Sequence, residues 1–215
     1  LRPNQFFDTN GNILLSSRNS RLYSGFRRVS FGLFLKLVLA DELARLNDIA
    51  FSSDGFSSLS SIDSWVMAVG FGLQIYFDFS AYSHMAIGIS EMLGLPISEN
   101  FNFPYSSTSA TQFWRRWHIS LSSWVSDYLY LFSNKHLPLF FFGFIPLSFT
   151  WFVMGLWHGP SWRFAVWGIL NALFVVIHRI FKSLNSNAFP LSIFRHHFAA
   201  WLITFLSISS TWIFF

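Results

Sequence analysis

Two histidines stand beside tryptophan residues at the edges of strongly apolar stretches. His118 lies in the run WRRWHISLS of residues 114–122, and His158 lies in the string LWHG of residues 156–159. An imidazole can accept or donate a proton near neutral pH, and ionisable groups held at membrane depth usually serve a function. Both histidines are therefore candidate acid–base groups. Taken singly, each is better explained as a structural histidine, hydrogen-bonded inside a helical bundle or placed at the membrane interface.

Asp78 is a carboxylate set among aromatic residues, in the string YFDFS of residues 76–80. A buried carboxylate is costly unless it is paired. An ion pair with Arg115 or Arg116 is at least as good an explanation of Asp78 as a catalytic role. The two arginines, which lie next to tryptophans, also suit an anchoring role at the level of the lipid headgroups.

Metal and thiol chemistry find no support in the chain. Cysteine is absent, which excludes disulfides, thiolate metal sites and a cysteine nucleophile. His196 and His197 are adjacent and would point to different sides of a helix, and no His-Glu-x-x-His pattern occurs. We therefore predict no metal site. A Gly-x-Ser-x-Gly nucleophile elbow is also absent from the sequence.

The composition indicates an integral membrane protein. Hydrophobic residues make up 53% of the 215 residues and charged residues only 11%, whereas soluble domains carry about 25% charged residues. The last acidic residue is Asp127, and the basic residues beyond it are scattered as they are around membrane helices. They form no polar basic face, so we predict no nucleic-acid partner.

The predicted fold class is all-α, a multi-pass integral membrane helical bundle with re-entrant or interfacial helices. Residues 1–24 are polar and predict an entry loop, residues 51–63 predict a linker, and residues 25–215 are predicted to supply the membrane helices. Trp114, Trp117, Leu121, Trp124 and Tyr128 follow a helical spacing, so Phe113–Leu131 predicts one amphipathic helix, interfacial or re-entrant. The other predicted apolar segments are Val29–Leu46, Trp65–Ser90, Leu137–Trp157, Phe164–Ile177 and Phe198–Phe215.

We expect a single membrane domain over residues 1–215 that is a fragment of a longer protein. The chain begins at Leu1 rather than Met and stops at Phe215 inside an apolar run. Gly70, Gly72 and Gly88 would allow helices to approach closely.

Several motifs, in this order, resemble the membrane-bound O-acyltransferase family, in particular its bacterial branch that modifies alginate and teichoic acid. They cover most of residues 25–180. The motifs are GLFLKLVLADELA at 32–44, GFGLQIYFDFSAYSHMAIG at 70–88, ENFNFPY at 99–105, FWRRWHISLSSWVSDYLY at 113–130 and GLWHGPSWRFAVWG at 155–168. The chain departs from the branch at His84, at Ser126 and in the short segment 131–136.

The resemblance implies acyl transfer inside a multi-helix funnel of a bacterial inner (cytoplasmic) membrane protein. It makes His158 the catalytic residue and His118 a second functional position. The branch passes acetyl groups to an exported polysaccharide, commonly with an exported acyl-transfer partner protein. The implied co-substrate is an acyl donor such as acetyl-CoA or another thioester, with no bound cofactor. Residues of the motifs that we assign to substrate binding are Asp78, Trp114, Arg115, Arg116, Asp127, Tyr128 and Trp157.

The chemistry of such a reaction suits a buried imidazole. A sugar hydroxyl is a poor nucleophile and needs a base when it attacks a thioester or ester carbonyl. An apolar, aromatic surrounding favours the neutral imidazole and lessens hydrolysis of the donor. The rival interpretations are a non-catalytic membrane scaffold or transport component, in which Asp78, Arg115 and Arg116 form a buried ion network, and an inactive fragment.

Overall fold

The computed structural model describes residues 18–51, 60–95, 97–136, 140–186 and 197–215, and all regular secondary structure in these ranges is helical. The all-α class is thus confirmed. The helices are α1 (Arg18–Phe34), α2 (Asp41–Phe51), α3 (Ser61–Leu93), α4 (Ala110–Arg116), α5 (Ile119–Val125), α6 (Leu131–His136), α7 (Phe140–His158), α8 (Trp162–Ser186) and α9 (His197–Thr211). Two π-helical segments, Leu35–Ala40 and Ser126–Tyr130, join α1 to α2 and α5 to α6.

The chain forms two compact units, Leu1–Asn100 and Phe101–Phe215. In the first, α1 packs along α3 through two glycines. A Cβ added to Gly25 would lie 2.4 Å from the carbonyl oxygen of Gly88, and one added to Gly88 would lie 2.6 Å from that of Gly25. Close approach at Gly88, which the sequence predicted, is therefore confirmed. The single membrane domain over residues 1–215 stays a prediction.

The polar entry loop is wrong in its last part, because α1 already begins at Arg18. Residues 1–17 lie outside the described residues. The polarity of the serines and arginines in residues 18–24 predicts a loop. They continue the helix that packs on α3, and Ser24 Oγ donates to the carbonyl of Arg21 inside it. Tertiary packing overrides weak local propensity here.

Helix α3 extends the predicted span Trp65–Ser90 at both ends. Its start lies in the serine-rich stretch predicted as a linker, because Ser60 and Asp63 form a capping box. The side chain of Ser60 accepts from the Asp63 amide, and the Asp63 carboxylate accepts from the Ser60 amide. This exchange gives the backbone N–H groups of Ser60 and Asp63 each an acceptor at the helix start.

The predicted helix Phe113–Leu131 is not continuous. It breaks at Trp117 and His118, and His118 has φ 44° and ψ 56°, in the left-handed region. The amphipathic spacing holds on both sides of the break, which is why it predicted one helix. The break turns the backbone at the candidate histidine.

Two helical segments among the described residues are long and apolar enough to cross a membrane, Trp162–Ser183 and His197–Phe214. They correspond to the predicted segments Phe164–Ile177 and Phe198–Phe215. Within the predicted segment Leu137–Trp157, the residues from Phe140 onward belong to α7, which contains Pro146, and residues 137–139 lie outside the described residues. Thr150 Oγ1 donates to the Pro146 carbonyl at 2.8 Å, which satisfies an acceptor inside this helix.

Candidate active site

His158 is the last residue of α7, and its ring lies among aromatic side chains. Its centroid is 4.8 Å from that of Phe215, 4.9 Å from that of Trp157 and 5.3 Å from that of Trp167. Trp157 itself is largely exposed, with 65% of its surface accessible. The half-buried imidazole is thus packed against aromatic rings of α7, of α8 and of the C-terminal residue Phe215.

Three tryptophans from three helices form the core behind His158. The ring centroids of Trp114, Trp151 and Trp167 lie 4.6 to 5.8 Å apart, and each side chain is buried. Trp114 comes from the motif of His118, and Trp167 contacts His158. The two motifs therefore meet in one aromatic core of the second unit. Sequence reasoning did not single out Trp151, Trp167 or Phe215, although Trp167 lies inside the last motif.

His118 sits at the junction of α4 and α5 with a left-handed backbone. Its carbonyl accepts from the Ser122 amide at 2.9 Å, and its Nδ1 lies 3.4 Å from Ser120 Oγ. Histidine is among the few non-glycine residues that populate positive φ with some frequency. At this turn the chain leaves the axis of α4 and begins α5.

The two histidines, 40 positions apart in the sequence, are brought within electrostatic reach of each other. Burial, and secondarily the charge that a protonated His158 would carry, lower the pKa of His118 to about 4. His118 is therefore neutral at physiological pH. A neutral imidazole can accept a proton or hold a hydrogen bond, whereas an imidazolium can only donate.

Replacing His118 by asparagine should make thermal stability less dependent on pH between about 6.5 and 4. In the folded protein the pKa of His118 is about 4, whereas the unfolded chain takes up the proton near the ordinary value of 6.5. The neutral histidine therefore favours the folded state above pH 6.5, and this contribution is lost as the pH falls towards 4. Asparagine tolerates positive φ and does not titrate.

Melting temperatures of detergent-solubilised wild-type and His118→Asn protein, measured across that pH range, check this expectation. The variant should lose less stability on acidification than the wild type. A parallel loss in both proteins would mean that His118 titrates at its ordinary pKa in the folded state. His118→Val is the complementary variant, since a β-branched residue at positive φ should lower stability at every pH.

Two buried indole N–H groups line this core without an acceptor in the described part of the chain. They are Nε1 of Trp114 and Nε1 of Trp167. An indole N–H is a donor only, and a buried donor without a partner costs about 1–3 kcal/mol. Such groups fit a site that receives an acceptor atom from a bound molecule.

The other residues assigned to substrate binding lie in several places. Arg116 donates to Ser106 Oγ at 2.7 Å, and Arg115 is exposed on α4. Asp127 and Tyr128 are exposed in the π-helical segment Ser126–Tyr130, with the Tyr128 ring 5.3 Å from that of Trp124. Their roles stay predictions.

Asp78 belongs to the first unit, on α3. Its carboxylate lies 2.6 Å from Lys36 Nζ, which also lies 3.0 Å from the carboxylate of Asp41. The sequence suggested Arg115 or Arg116 as the basic partner of Asp78, and the structure assigns that role to Lys36. Lys36 lies in the π-helical segment Leu35–Ala40, which displaces it from a regular helical position.

A family model described as the membrane-bound O-acyltransferase family matches residues 4–215. This chain belongs to the membrane-bound O-acyltransferase family. The resemblance of the motifs is thereby confirmed.

The chain is similar to relatives named for acyl transfer involving peptidoglycan, alginate and teichoic acid. The chain is 39% identical to a peptidoglycan O-acetyltransferase of Helicobacter pylori over 98% of its own length and 38% of the relative's. It is 39% identical to a probable alginate O-acetylase of Azotobacter vinelandii over 89% of its own length and 36% of the relative's. A teichoic acid D-alanyltransferase of Bacillus subtilis is 24% identical over 76% of the chain and 43% of the relative. The chain thus spans less than half the length of these relatives.

Proposed function

We propose that this chain forms the catalytic part of a multi-pass membrane O-acetyltransferase of the inner (cytoplasmic) membrane, acting on hydroxyls of an exported cell-surface polysaccharide. One observation carries the proposal. Two family motifs meet in one aromatic core that contacts His158, with His118 within electrostatic reach of it, in a chain 39% identical to relatives named for O-acetylation of peptidoglycan and of alginate. The two apolar helices that are long enough to cross a membrane support the multi-pass arrangement.

His158 is the general base of this proposal. The acceptor hydroxyl gives its proton to the imidazole as its oxygen attacks the carbonyl carbon of an acetyl thioester such as acetyl-CoA. The C–O bond of the ester forms, the C–S bond breaks, and the proton passes from the imidazole to the leaving thiolate. General base catalysis of this kind contributes about 10²- to 10⁴-fold. The aromatic wall around His158 excludes water that would compete with the polymer for the donor.

His118 orients substrate or handles a second proton. Its low pKa leaves His118 neutral beside His158. It therefore carries no positive charge that would oppose proton transfer to His158. The indole N–H of Trp114, buried and without an acceptor among the described residues, is suited to bind an oxygen of the substrate. Trp167 offers a second such donor in contact with His158.

The remaining assigned residues serve binding around this core. Arg115 and Arg116 would offset the negative charge of a donor phosphate, and the exposed Trp157 would contact the incoming substrate beside His158. Asp127, Tyr128 and Asp78 are assigned to substrate binding through their motifs alone. An exported acyl-transfer protein is the proposed partner on the far side of the membrane.

Expression of the full-length protein in a bacterial host that lacks its own polysaccharide O-acetyltransferase tests the proposal. We expect alkali-labile acetate on the purified exported polymer, and none from a host that carries the empty vector. Parallel purification of peptidoglycan and of secreted polysaccharide identifies which polymer receives the ester. Normal membrane abundance of the protein with no acetate on either polymer would refute the proposed activity.

A further inference from the structure

The Phe101–Phe215 unit contains a cavity whose described lining includes neither His118 nor His158. This cavity has a volume of about 340 Å³ and is bounded by the segment leading into α4, by the second half of α8 and by α9. Its basic end carries Lys182 and His197. The start of α8, next to His158, precedes Lys182 by twenty residues, which is about 30 Å along the helix. The basic end of the cavity therefore lies well away from His158.

The walls of this cavity come from the two segments able to cross a membrane. Lys182 lies at the end of the segment Trp162–Ser183, and His197 is the first residue of the segment His197–Phe214. Both residues line the cavity, so these ends of the two segments meet at its basic end. From Lys182 the lining runs back to Phe174, eight residues or about 12 Å along α8. With both segments crossing the membrane, as the proposed function has it, the cavity extends from headgroup depth into the hydrocarbon region.

Most of the cavity lining is apolar, with the hydroxyls of Thr204 and Ser207 among it, whereas one end is basic. Phe174, Ile177 and Ile203 line the apolar part. His178 lies between the two parts, where the charges of Lys182 and Arg115 act on it. This arrangement matches a molecule that has an acidic head and an apolar tail.

The basic charge at this end is not balanced within the described lining of the cavity. The lining residues that the structure describes include no Asp or Glu. The sequence has no acidic residue after Asp127, so neither α8 nor α9 carries one. Basic pockets between membrane helices bind the phosphates of acidic lipids, which are abundant at the membrane surface.

We propose that this cavity binds one anionic phospholipid. Its phosphate lies at Lys182 and His197, and part of one acyl chain lies along Phe174, Ile177 and Ile203. The volume is at the lower end of the range for ligand pockets, about 300–1,000 Å³, and so accommodates a portion of the lipid, with the rest in the bilayer. The lipid is a bound component of the fold and not the acyl donor.

Native mass spectrometry of the full-length protein in detergent tests the site, with phosphatidylglycerol as the probe and phosphatidylcholine as the zwitterionic comparison. The wild type should retain one phosphatidylglycerol in preference to phosphatidylcholine. The double variant Lys182→Gln with His197→Gln should bind phosphatidylglycerol at least about fivefold more weakly, since one basic charge near an anionic lipid accounts for a factor of that size. Lys135→Gln, an exposed lysine of α6 outside the cavity, should bind as the wild type does.

A variant that fills the apolar part separates a lipid site from a simple anion site. Ile177→Trp leaves the basic end intact and should abolish lipid retention. Binding of phosphatidylglycerol that is unchanged in the double variant, or equal retention of phosphatidylcholine, would overturn the proposal. Competition by soluble glycerol phosphate as strong as by the lipid would overturn it too, because only an anion site would remain. Melting temperatures near that of the wild type establish that each variant is folded.

Discussion

Replacing His158 by glutamine should lower acetyl transfer by about 10²- to 10⁴-fold, the contribution of a positioned general base. Glutamine cannot take up the hydroxyl proton at neutral pH, so the attacking oxygen would have to lose it to water. Its side chain still fills much of the space among Trp157, Trp167 and Phe215, so the end of α7 should keep its packing. Ester-bound acetate on the purified polymer, divided by the amount of protein in the membrane, is the quantity to measure.

His136→Gln is the matched control for this variant. His136 is exposed at the end of α6, where its Nδ1 lies 2.9 Å from the Phe132 carbonyl, and it takes no part in the aromatic core. Acetylation should be unchanged in this variant. Undiminished acetylation by His158→Gln at normal abundance would remove His158 from the mechanism. It would favour the interpretation of the histidines as structural groups.

Replacing Gly168 or Gly155 by alanine should cause a large loss of stability in the second unit. A Cβ on Gly168 would lie 2.2 Å from the Trp151 carbonyl oxygen, and one on Gly155 would lie 2.1 Å from the Phe164 carbonyl oxygen. Both clashes are with backbone atoms, which cannot swing aside. Helices α7 and α8 would have to separate, and overpacking of this kind costs about 1–3 kcal/mol or more.

The melting temperature of the purified protein and its acetyl transfer activity both report on this contact. Activity should fall with stability, because Gly155 is three residues from His158 and Gly168 is next to Trp167. Gly70→Ala is the control, since its added Cβ would meet only the side-chain amide of Asn47, at 3.2 Å. Alanine favours a helix over glycine by about 1 kcal/mol, so this variant should be neutral or stabilising. A loss as large as that of Gly168→Ala would contradict the packing argument.

The apolar segments of the sequence predicted most of the helices, because length and periodicity are local properties. The positions of the helix ends were harder to predict from the sequence. The residues before Gly25 are helical because α1 packs on α3, a contact between residues more than sixty positions apart. The start of α3 at Ser61 depends on a reciprocal exchange between Ser60 and Asp63, inside a stretch whose composition indicated a linker.

The candidate site was predictable in its residue types but not in its geometry. Motif resemblance singled out His118 and His158, and only the packing of α4, α7 and α8 brings them together. The left-handed backbone of His118 cannot be predicted from the amphipathic pattern, since Trp114 and Trp117 keep a helical spacing up to the break. The partner of Asp78 was also beyond local reasoning, because Lys36 lies 42 positions away.

The two π-helical segments make the placement of side chains sensitive to deletion of a single residue. Leu35–Ala40 contains Lys36, and Ser126–Tyr130 contains Asp127 and Tyr128. Loss of one codon in either segment could restore an ordinary α-helical turn with every backbone hydrogen bond made. It would nevertheless rotate the residues on one side by about 100° relative to those on the other. The helix can thus form normally after such a deletion while Lys36 and Asp41 no longer face each other. Deletion of one residue in either segment would therefore change the placement of side chains without preventing the helix from folding.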